Sequence, residues 1–250
     1  MQKIPVFFTF DANYLLAAKV AIHSMMKHAS RQYWYELYVF HTTLSPKAQQ
    51  SLRNSLKEFT HTELHFIDVT QYNEKIKNFG TKAHYSKEIF YKLIATDVLP
   101  QYDRIICSDV DVVFTGDFSP VFFMFPNEKF YYAGVGPVEN SRMPYYRKDF
   151  STTEMEILEH EIAAGFLLIN LKELRNDHKQ EEIINFYVNN YPRLRLPEQD
   201  CIILTCWPYI KYLPIDYSLP ISFYRLNMNQ RDFYQGNTEF AGDKATALAK

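Results

Sequence analysis

The chain has 250 residues, 47% of them hydrophobic, which is enough for one α/β domain with a packed core. A formal net charge of −2 without a long basic run argues against non-specific nucleic-acid binding, and no apolar stretch is long enough to cross a bilayer. Glycine is scarce, at 7 residues, and neither G-x-G-x-x-G nor G-x-x-x-x-G-K-[ST] occurs, which excludes a glycine-rich dinucleotide loop and a P-loop.

Residues 3–10 read as a β-strand that stops at Asp11, with no small-residue cleavage site after it, so the N-terminus is not a signal peptide. Residues 15–29 have helical period, with Leu16, Val20, Ile22, Met25 and Met26 crowding one side. A second strand follows at 37–41. Ser45-Pro46 then supplies an N-cap and a first-turn proline for a helix running to about Phe59. Residues 63–69 alternate as a third strand, Leu64 and Phe66 facing opposite His65 and Ile67. This β-α-β-α-β order predicts a parallel sheet covered by helices. Residues 72–85 are polar and irregular, a surface excursion. Residues 87–99 return to helix through Ile89, Phe90, Leu93, Ile94 and Val98, and Pro100 ends it. Strands are expected at 104–107, 130–135 and 165–170, a polar mobile segment at 139–150, a helix at 171–190 and a short helix at 200–206. After Trp207, Pro208, Pro214 and Pro220 weaken the pattern. Cys107, Cys201 and Cys206 lie in apolar segments without metal-finger spacing, as expected of reduced core thiols in a cytosolic protein.

The most informative stretch is RIICSDVDVVFTGD, residues 104–117, where Asp109 and Asp111 interrupt an apolar run. On a strand, residues i and i+2 share a face about 6.6–7 Å apart, and two ionised carboxylates cannot be left there in a dry core. Either both sit just past the strand's C-terminal end and hold a divalent metal, or one pairs with Arg104 or a distant cation. C-terminal strand ends are where α/β sheets bind ligands, and hard oxygen donors favour Mg²⁺ or Mn²⁺. D-x-D alone also fits two solvated acids in a turn. The string Asp109-Val110-Asp111-Val112-Val113 further matches the D-x-D-x-[TV] of haloacid-dehalogenase-like phosphatases, in which the first Asp attacks phosphorus. That motif normally opens its domain, whereas three β/α units precede it here.

Four blocks, in order, give the chain a broader resemblance. They are FTFDANYLLAAKVAIHSM (8–25), FYKLIATDVLP (90–100) continuing into YDRIICSDVDVVFTGDFSPVF (102–122), AAGFLLINLKELR (163–175) and LPEQDCIILTC (196–206). Together they resemble glycosyltransferase family 8, the galactosyltransferase and glycogenin-like retaining enzymes. The resemblance implies a single α/β domain over 1–250 of GT-A type: a Rossmann-like, mostly parallel central sheet flanked by helices, with a small antiparallel addition. It implies transfer of a hexose from a UDP-sugar to a saccharide or glycan acceptor. Asp109 and Asp111 would coordinate Mn²⁺ or Mg²⁺ on the diphosphate, with Val110 beside the nucleotide sugar. Thr9, Asp11, Asn13 and Tyr14 would hold base and ribose, and Lys92, where the family often has Arg, would contact diphosphate or sugar. Ala164 and Gly165 would let the backbone approach the donor sugar. Gln199 would lie beside the anomeric carbon, with Asp200 binding a sugar hydroxyl or orienting Gln199.

Each of these residues also has a structural alternative. Asp11 and Asn13 suit a helix cap, Tyr14 a staple, Lys92 a solvated helix face, and Gln199 and Asp200 a helix N-terminus. Asp117 reads as structural, in a turn before a helix start, and His160 and His178 as surface residues. The chain departs from the family at three places. Ala163 stands where the family has Asn, and Glu198 where it has Asp. The family's C-terminal H-x-x-G-x-x-K-P-W, whose His is a third metal ligand, is absent, and no histidine follows His178. The expectation is a chain truncated before that segment, with peripheral membrane contact reserved to a missing tail. Two other functions stay open: a catalytically weak nucleotide-sugar binder, and the phosphatase using Asp109. Residues 139–150 and 227–236 are acceptor-side candidates by position.

Overall fold

The computed structural model describes residues 1–77, 86–136 and 148–218. The acceptor-side candidates fall largely or wholly outside the described residues, as does the second half of the 72–85 excursion.

The first half follows the predicted alternation. Strand β1 (Gln2–Thr9) leads through α1 (Leu15–His28) to β2 (Tyr33–His41), then through α2 (Pro46–Ser55) to β3 (Thr62–Asp68). Ser45 caps α2 by accepting from the Ala48 N–H, and Pro46 occupies the first turn, where a missing N–H costs nothing. Strand β2 begins four residues earlier than the pattern predicts because Tyr33–Glu36 pair with β1 although Tyr33 and Trp34 are only half-buried.

The next segment differs from expectation. A 3₁₀ turn, Thr70–Ile76, opens the region read as irregular. Lys87–Ile94 winds as 3₁₀ rather than α-helix and passes into the single α turn α3 (Ala95–Val98). It buries Glu88, Phe90, Tyr91, Lys92, Leu93 and Ile94, so no solvent face as broad as an amphipathic α-helix needs is left.

Strand β4 is Ile105–Ser108 and β5 is Tyr132–Val135. Helix α4 (Thr152–Leu158), which the apolar pattern does not show, starts with a capping box between Ser151 and Glu154. Strand β6 is Phe166–Ile169. The helix expected over 171–190 is two helices, α5 (Leu171–Asn176) and α6 (Lys179–Asn190). They are separated at His178, whose φ of 51° lies in the left-handed region and breaks the helical ladder. Helix α7 spans Pro197–Cys206, and the proline-rich tail still supplies a strand, β7 (Ile210–Leu213).

The seven strands form one sheet in the order β3-β2-β1-β4-β6-β5-β7. Pairing is parallel except at β6, which runs antiparallel to both β4 and β5. The result is a mixed, mostly parallel α/β sheet flanked by helices. Alternate residues feed two cores. Phe7, Phe40, Ile105 and Leu167 pack with the 3₁₀ segment and α4–α7 on one face. Val6, Phe8, Ile106 and Leu168 pack with α1 and α2 on the other. The strand order reverses between β1 and β4, which makes a crevice at their C-terminal ends.

Two buried imidazoles give the fold a pH dependence. His41 Nδ1 and His61 Nε2 meet no partner among the described residues. Burial lowers the pKa of both; Arg31 lowers His61 further, and Asp68 opposes the shift at His41. Below the unfolded value of about 6.5 the unfolded chain binds protons that the folded chain does not, so stability is present above that pH and is lost as the pH falls through it. Urea midpoints are expected to drop between pH 7.5 and pH 5.5, before the carboxylates titrate; a flat profile over that window would contradict this.

Candidate functional site

The paired carboxylates lie past the end of a strand, in the crevice between β1 and β4. Strand β4 stops at Ser108, and the Asp109 N–H donates to the Gly165 carbonyl at 2.8 Å. Of the alternatives read from sequence, a distant cation meets the pair: Lys92 Nζ lies 2.7 Å from Asp109 Oδ1. Arg104 turns away and donates to the carbonyls of Met124 and Phe125, each at 2.7 Å. Asp111 is exposed. The loop that carries both acids is pinned at two places. The Phe114 N–H donates to Ser24 Oγ of α1 at 3.0 Å, and Asp117 accepts from the N–H and the hydroxyl of Ser119, each at 2.9 Å. Asp117 is therefore structural.

Lys92 is buried, at 2% exposure, and all three ammonium protons have partners. Besides Asp109 it donates to Glu198 Oε1 at 3.1 Å and to the Ala164 carbonyl at 3.0 Å. No proton is left for a ligand, so in this conformation Lys92 does not reach out to a diphosphate or sugar as expected. It serves as an internal counter-ion. Burial by itself lowers a lysine pKa; here Asp109 and Glu198 outweigh it and hold Lys92 above the ordinary lysine value. Burial pushes the Asp109 carboxyl up against the pull of Lys92, with Glu198 and Asp111 adding to the rise. The Lys–Glu contact also ties Lys92 to one of the departures from the resemblance, Glu198, whose arm is one methylene longer than that of Asp.

Gln199 stands beside this cluster. Its Oε1 accepts from the Ala164 N–H at 3.0 Å. Only the amide oxygen can accept from that N–H, so the orientation is determined, and Nε2 is left buried without a partner among the described residues. Glu198 Oε2 is in the same condition. Buried polar atoms of this kind are normally satisfied, and here a donor and an acceptor on adjacent residues are both left without a partner among the described residues. Gly165 leaves room in front of Asp109. A Cβ there would come within 3.3 Å of Asp109 Oδ2, and its other neighbour within 4 Å would be Asp109 Cγ.

A second group lines a cleft of 590 Å³ at the ends of β1 and β2. Asp11 and Asn13 border it, with Thr43, Asn73, Lys87 and Tyr191 among the other walls. Asp11 also caps the 3₁₀ turn Ala12–Tyr14, accepting from the Asn13 N–H at 2.8 Å and from Asn13 Nδ2 at 3.2 Å. The Thr9 hydroxyl donates to the Glu88 carbonyl at 2.7 Å and so ties the end of β1 to the 3₁₀ segment. A wider depression of 630 Å³ along α1, lined by Lys19, Val20, His23 and Val113, gathers none of these groups.

Three predicted site residues stand apart. Tyr14 is 39% exposed and does not line the cleft. The Val110 side chain is buried in the core with Phe118 and Val121, leaving its backbone for any contact. Asp200 is fully buried, and its Oδ2 accepts from the N–H groups of Arg195 at 2.5 Å and Leu196 at 3.0 Å. It builds the turn into α7 instead of facing a sugar, because two backbone donors ahead of the helix need an acceptor. Sequence reading missed the pocket-lining roles of Thr43, Asn73 and Lys87. Thr43 lies in the loop after β2, Asn73 in the 3₁₀ turn after β3 and Lys87 at the start of the next 3₁₀ segment, so only their place in the folded sheet order brings them together.

A divalent cation fits Asp109 Oδ2 and Asp111 as hard oxygen donors with open space before Oδ2, although no group of three His, Cys, Asp or Glu converges among the described residues.

The model of Glycosyl transferase family 8 matches residues 5–240. No sequence match is found among curated proteins. Among solved structures, the galactosyltransferase LgtC in complex with donor and acceptor sugar analogs aligns with a TM-score of 0.72 at 16% identity, over 96% of this chain and 84% of that one. Mouse xyloside xylosyltransferase 1 aligns with a TM-score of 0.68 at 17% identity, over 97% of this chain and 95% of that one. The bifunctional glycosyltransferase WbbM aligns with a TM-score of 0.71 at 18% identity; the alignment covers 96% of this chain but only 46% of WbbM. At these identities the structures show a shared fold.

Replacing Asp200 by Ala takes the carboxylate acceptor away from two half-buried N–H groups. It should destabilise the fold by about 1–3 kcal/mol in urea unfolding, whatever its effect on ligands. A loss below about 0.5 kcal/mol would contradict the assignment.

Proposed function

Because the chain belongs to glycosyltransferase family 8 and is a glycosyltransferase, we propose that it is a metal-dependent, retaining enzyme that moves a hexose from a UDP-sugar to a saccharide acceptor. The observation that carries the reading is the placement of Asp109 and Asp111 just beyond β4 at the crevice, with Gly165 leaving Asp109 Oδ2 open. The reading treats 1–250 as a single GT-A domain. Three free buried cysteines fit a reducing, cytoplasmic setting, and among the described residues no helix is long and apolar enough to cross a membrane. With the family established, the phosphatase reading of Asp109 is not carried further.

In this scheme Asp11 and Asn13 hold the nucleoside in the 590 Å³ cleft. Asp109 and Asp111 would hold Mn²⁺ or Mg²⁺, and the cation when bound would supply charge neutralisation for the leaving diphosphate. Gln199 Nε2 donates a hydrogen bond to a sugar or acceptor hydroxyl, and Glu198 Oε2 accepts one. A double displacement with retention requires a carboxylate nucleophile beside the anomeric carbon. Asp200 is buried against the backbone, Glu198 is held by Lys92, and the Gln199 oxygen is engaged by Ala164. This arrangement favours attack by the acceptor on the same face from which the nucleotide leaves.

A panel of UDP-sugars assayed for Mn²⁺-dependent hydrolysis tests the reading. Asp111→Ala is expected to lower turnover by at least a hundredfold; unchanged turnover would remove the metal role, and UDP binding without any sugar release would make the chain a binder. Gly165→Ala separates fold from site. The glycine does not have a positive φ, so restriction of the unfolded chain offsets the 3.3 Å approach to Asp109 Oδ2 and stability should change by no more than about 1 kcal/mol in either direction. The new methyl should nevertheless weaken Mn²⁺·UDP binding about tenfold or more, measured by calorimetry beside a melting curve.

A further inference from the structure

We infer that Lys92 keeps the divalent-cation site closed to free metal, so that the cation is taken up only together with a nucleotide diphosphate. The inference rests on the proposed nucleotide-sugar site.

Two features of the cluster lead to it. The first is ligand supply. Asp109 Oδ1 is held at 2.7 Å by an ammonium whose other two protons are committed to Glu198 at 3.1 Å and the Ala164 carbonyl at 3.0 Å. A cation that used Oδ1 would have to share that oxygen with the ammonium, against its positive charge. What remains is Asp109 Oδ2 and the exposed Asp111, and no third His, Cys, Asp or Glu joins them among the described residues. Hard divalent ions take six or more oxygens and are commonly bound by one or two carboxylates plus substrate phosphates, so the two carboxylates found among the described residues, with water, make a weak site. Diphosphate oxygens complete the coordination.

The second feature is charge. Asp109, Glu198 and Asp111 carry three negative charges and Lys92 one positive charge, leaving a local charge of −2. That matches a divalent ion without the excess that draws it from water. Removing the lysine charge leaves −3 and frees Oδ1, and affinity in such sites follows the number of charged ligands. Lys92 thus acts on the metal through Asp109 without touching it.

The test is titration with Mn²⁺ alone, with UDP alone and with Mn²⁺ at saturating UDP, following free Mn²⁺ by paramagnetic resonance. The natural chain should bind Mn²⁺ at least tenfold more tightly with UDP than without. Lys92→Met should bind nucleotide-free Mn²⁺ at least tenfold more tightly than the natural chain and gain melting temperature from it, whereas Lys92→Arg, which keeps the charge, should show neither gain. Equal affinity of the natural chain for Mn²⁺ with and without UDP overturns the inference, as does a Lys92→Met chain with no gain. If Lys92→Met does not fold even with Mn²⁺, Glu198→Gln decides. It leaves Lys92 to Asp109 and lowers the local charge to −1, so Mn²⁺ affinity in the presence of UDP should fall at least fivefold, and no fall overturns the inference. A natural chain that binds neither UDP nor Mn²⁺·UDP overturns the proposed function along with it; one that binds the two independently overturns this inference alone.

Discussion

Everything about the site depends on one buried ammonium. An ionised lysine has no place inside a protein unless its protons are all taken up, and Lys92 meets that condition by reaching three segments at once. Asp109 brings the end of β4, Ala164 the turn before β6, and Glu198 the first turn of α7. Lys92 itself rides on the 3₁₀ segment, and Thr9 fastens that segment to the end of β1. Removing the cation would leave two acids in a poorly solvated place and loosen the register of four chain segments.

The topology makes this meeting possible. Parallel pairing of β4 with β1 puts the Asp109 loop beside the Asp11 turn, at the point where strand order reverses. The single antiparallel strand, β6, then enters the same edge of the sheet by its N-terminal end. Its register with β4 sets Phe166 opposite Ser108, which puts Gly165 against Asp109. Any side chain at 165 would crowd Asp109 Oδ2, whereas the backbone conformation there makes no demand for glycine.

The same geometry sorts the polar residues of the LPEQDC segment by role. Glu198, Gln199 and Asp200 are consecutive, yet the first answers Lys92, the second answers the Ala164 N–H and keeps a free amide nitrogen, and the third is consumed by the turn into α7. On a helix three consecutive residues point about 100° apart, so they cannot all face one ligand. Ala163, with no side-chain amide, joins this neighbourhood through its backbone, its N–H donating to the Val135 carbonyl at 2.8 Å.

Much of this could be read from the amino acids alone. Periodicity, the Ser45-Pro46 start and the apolar runs around Phe7, Val39 and Ile106 specify the β-α-β-α-β half, because local propensity and burial agree there. The spacing of four blocks pointed to the family and to Asp109 and Asp111 as a pair. Where the readings failed, a long-range contact overrode the local signal: the 3₁₀ winding around Lys92, the break at His178, and a strand formed at Ile210–Leu213 because β5 offered an unpaired edge. The α4 helix has its start signal in the Ser151–Glu154 capping box but lacks an apolar period. No sequence pattern could tell that Lys92 pairs inward or that Asp200 faces the backbone. Both are decided by which atoms lie within 3 Å after folding, and that depends on partners 17 to 106 positions away for the lysine and on turn geometry for the aspartate. The sequence by itself determined the sheet's first half and the kind of chemistry its acids can do; the tertiary structure alone decided which of those acids remain free to do it, because a buried charge must be answered before any group can be offered to a ligand.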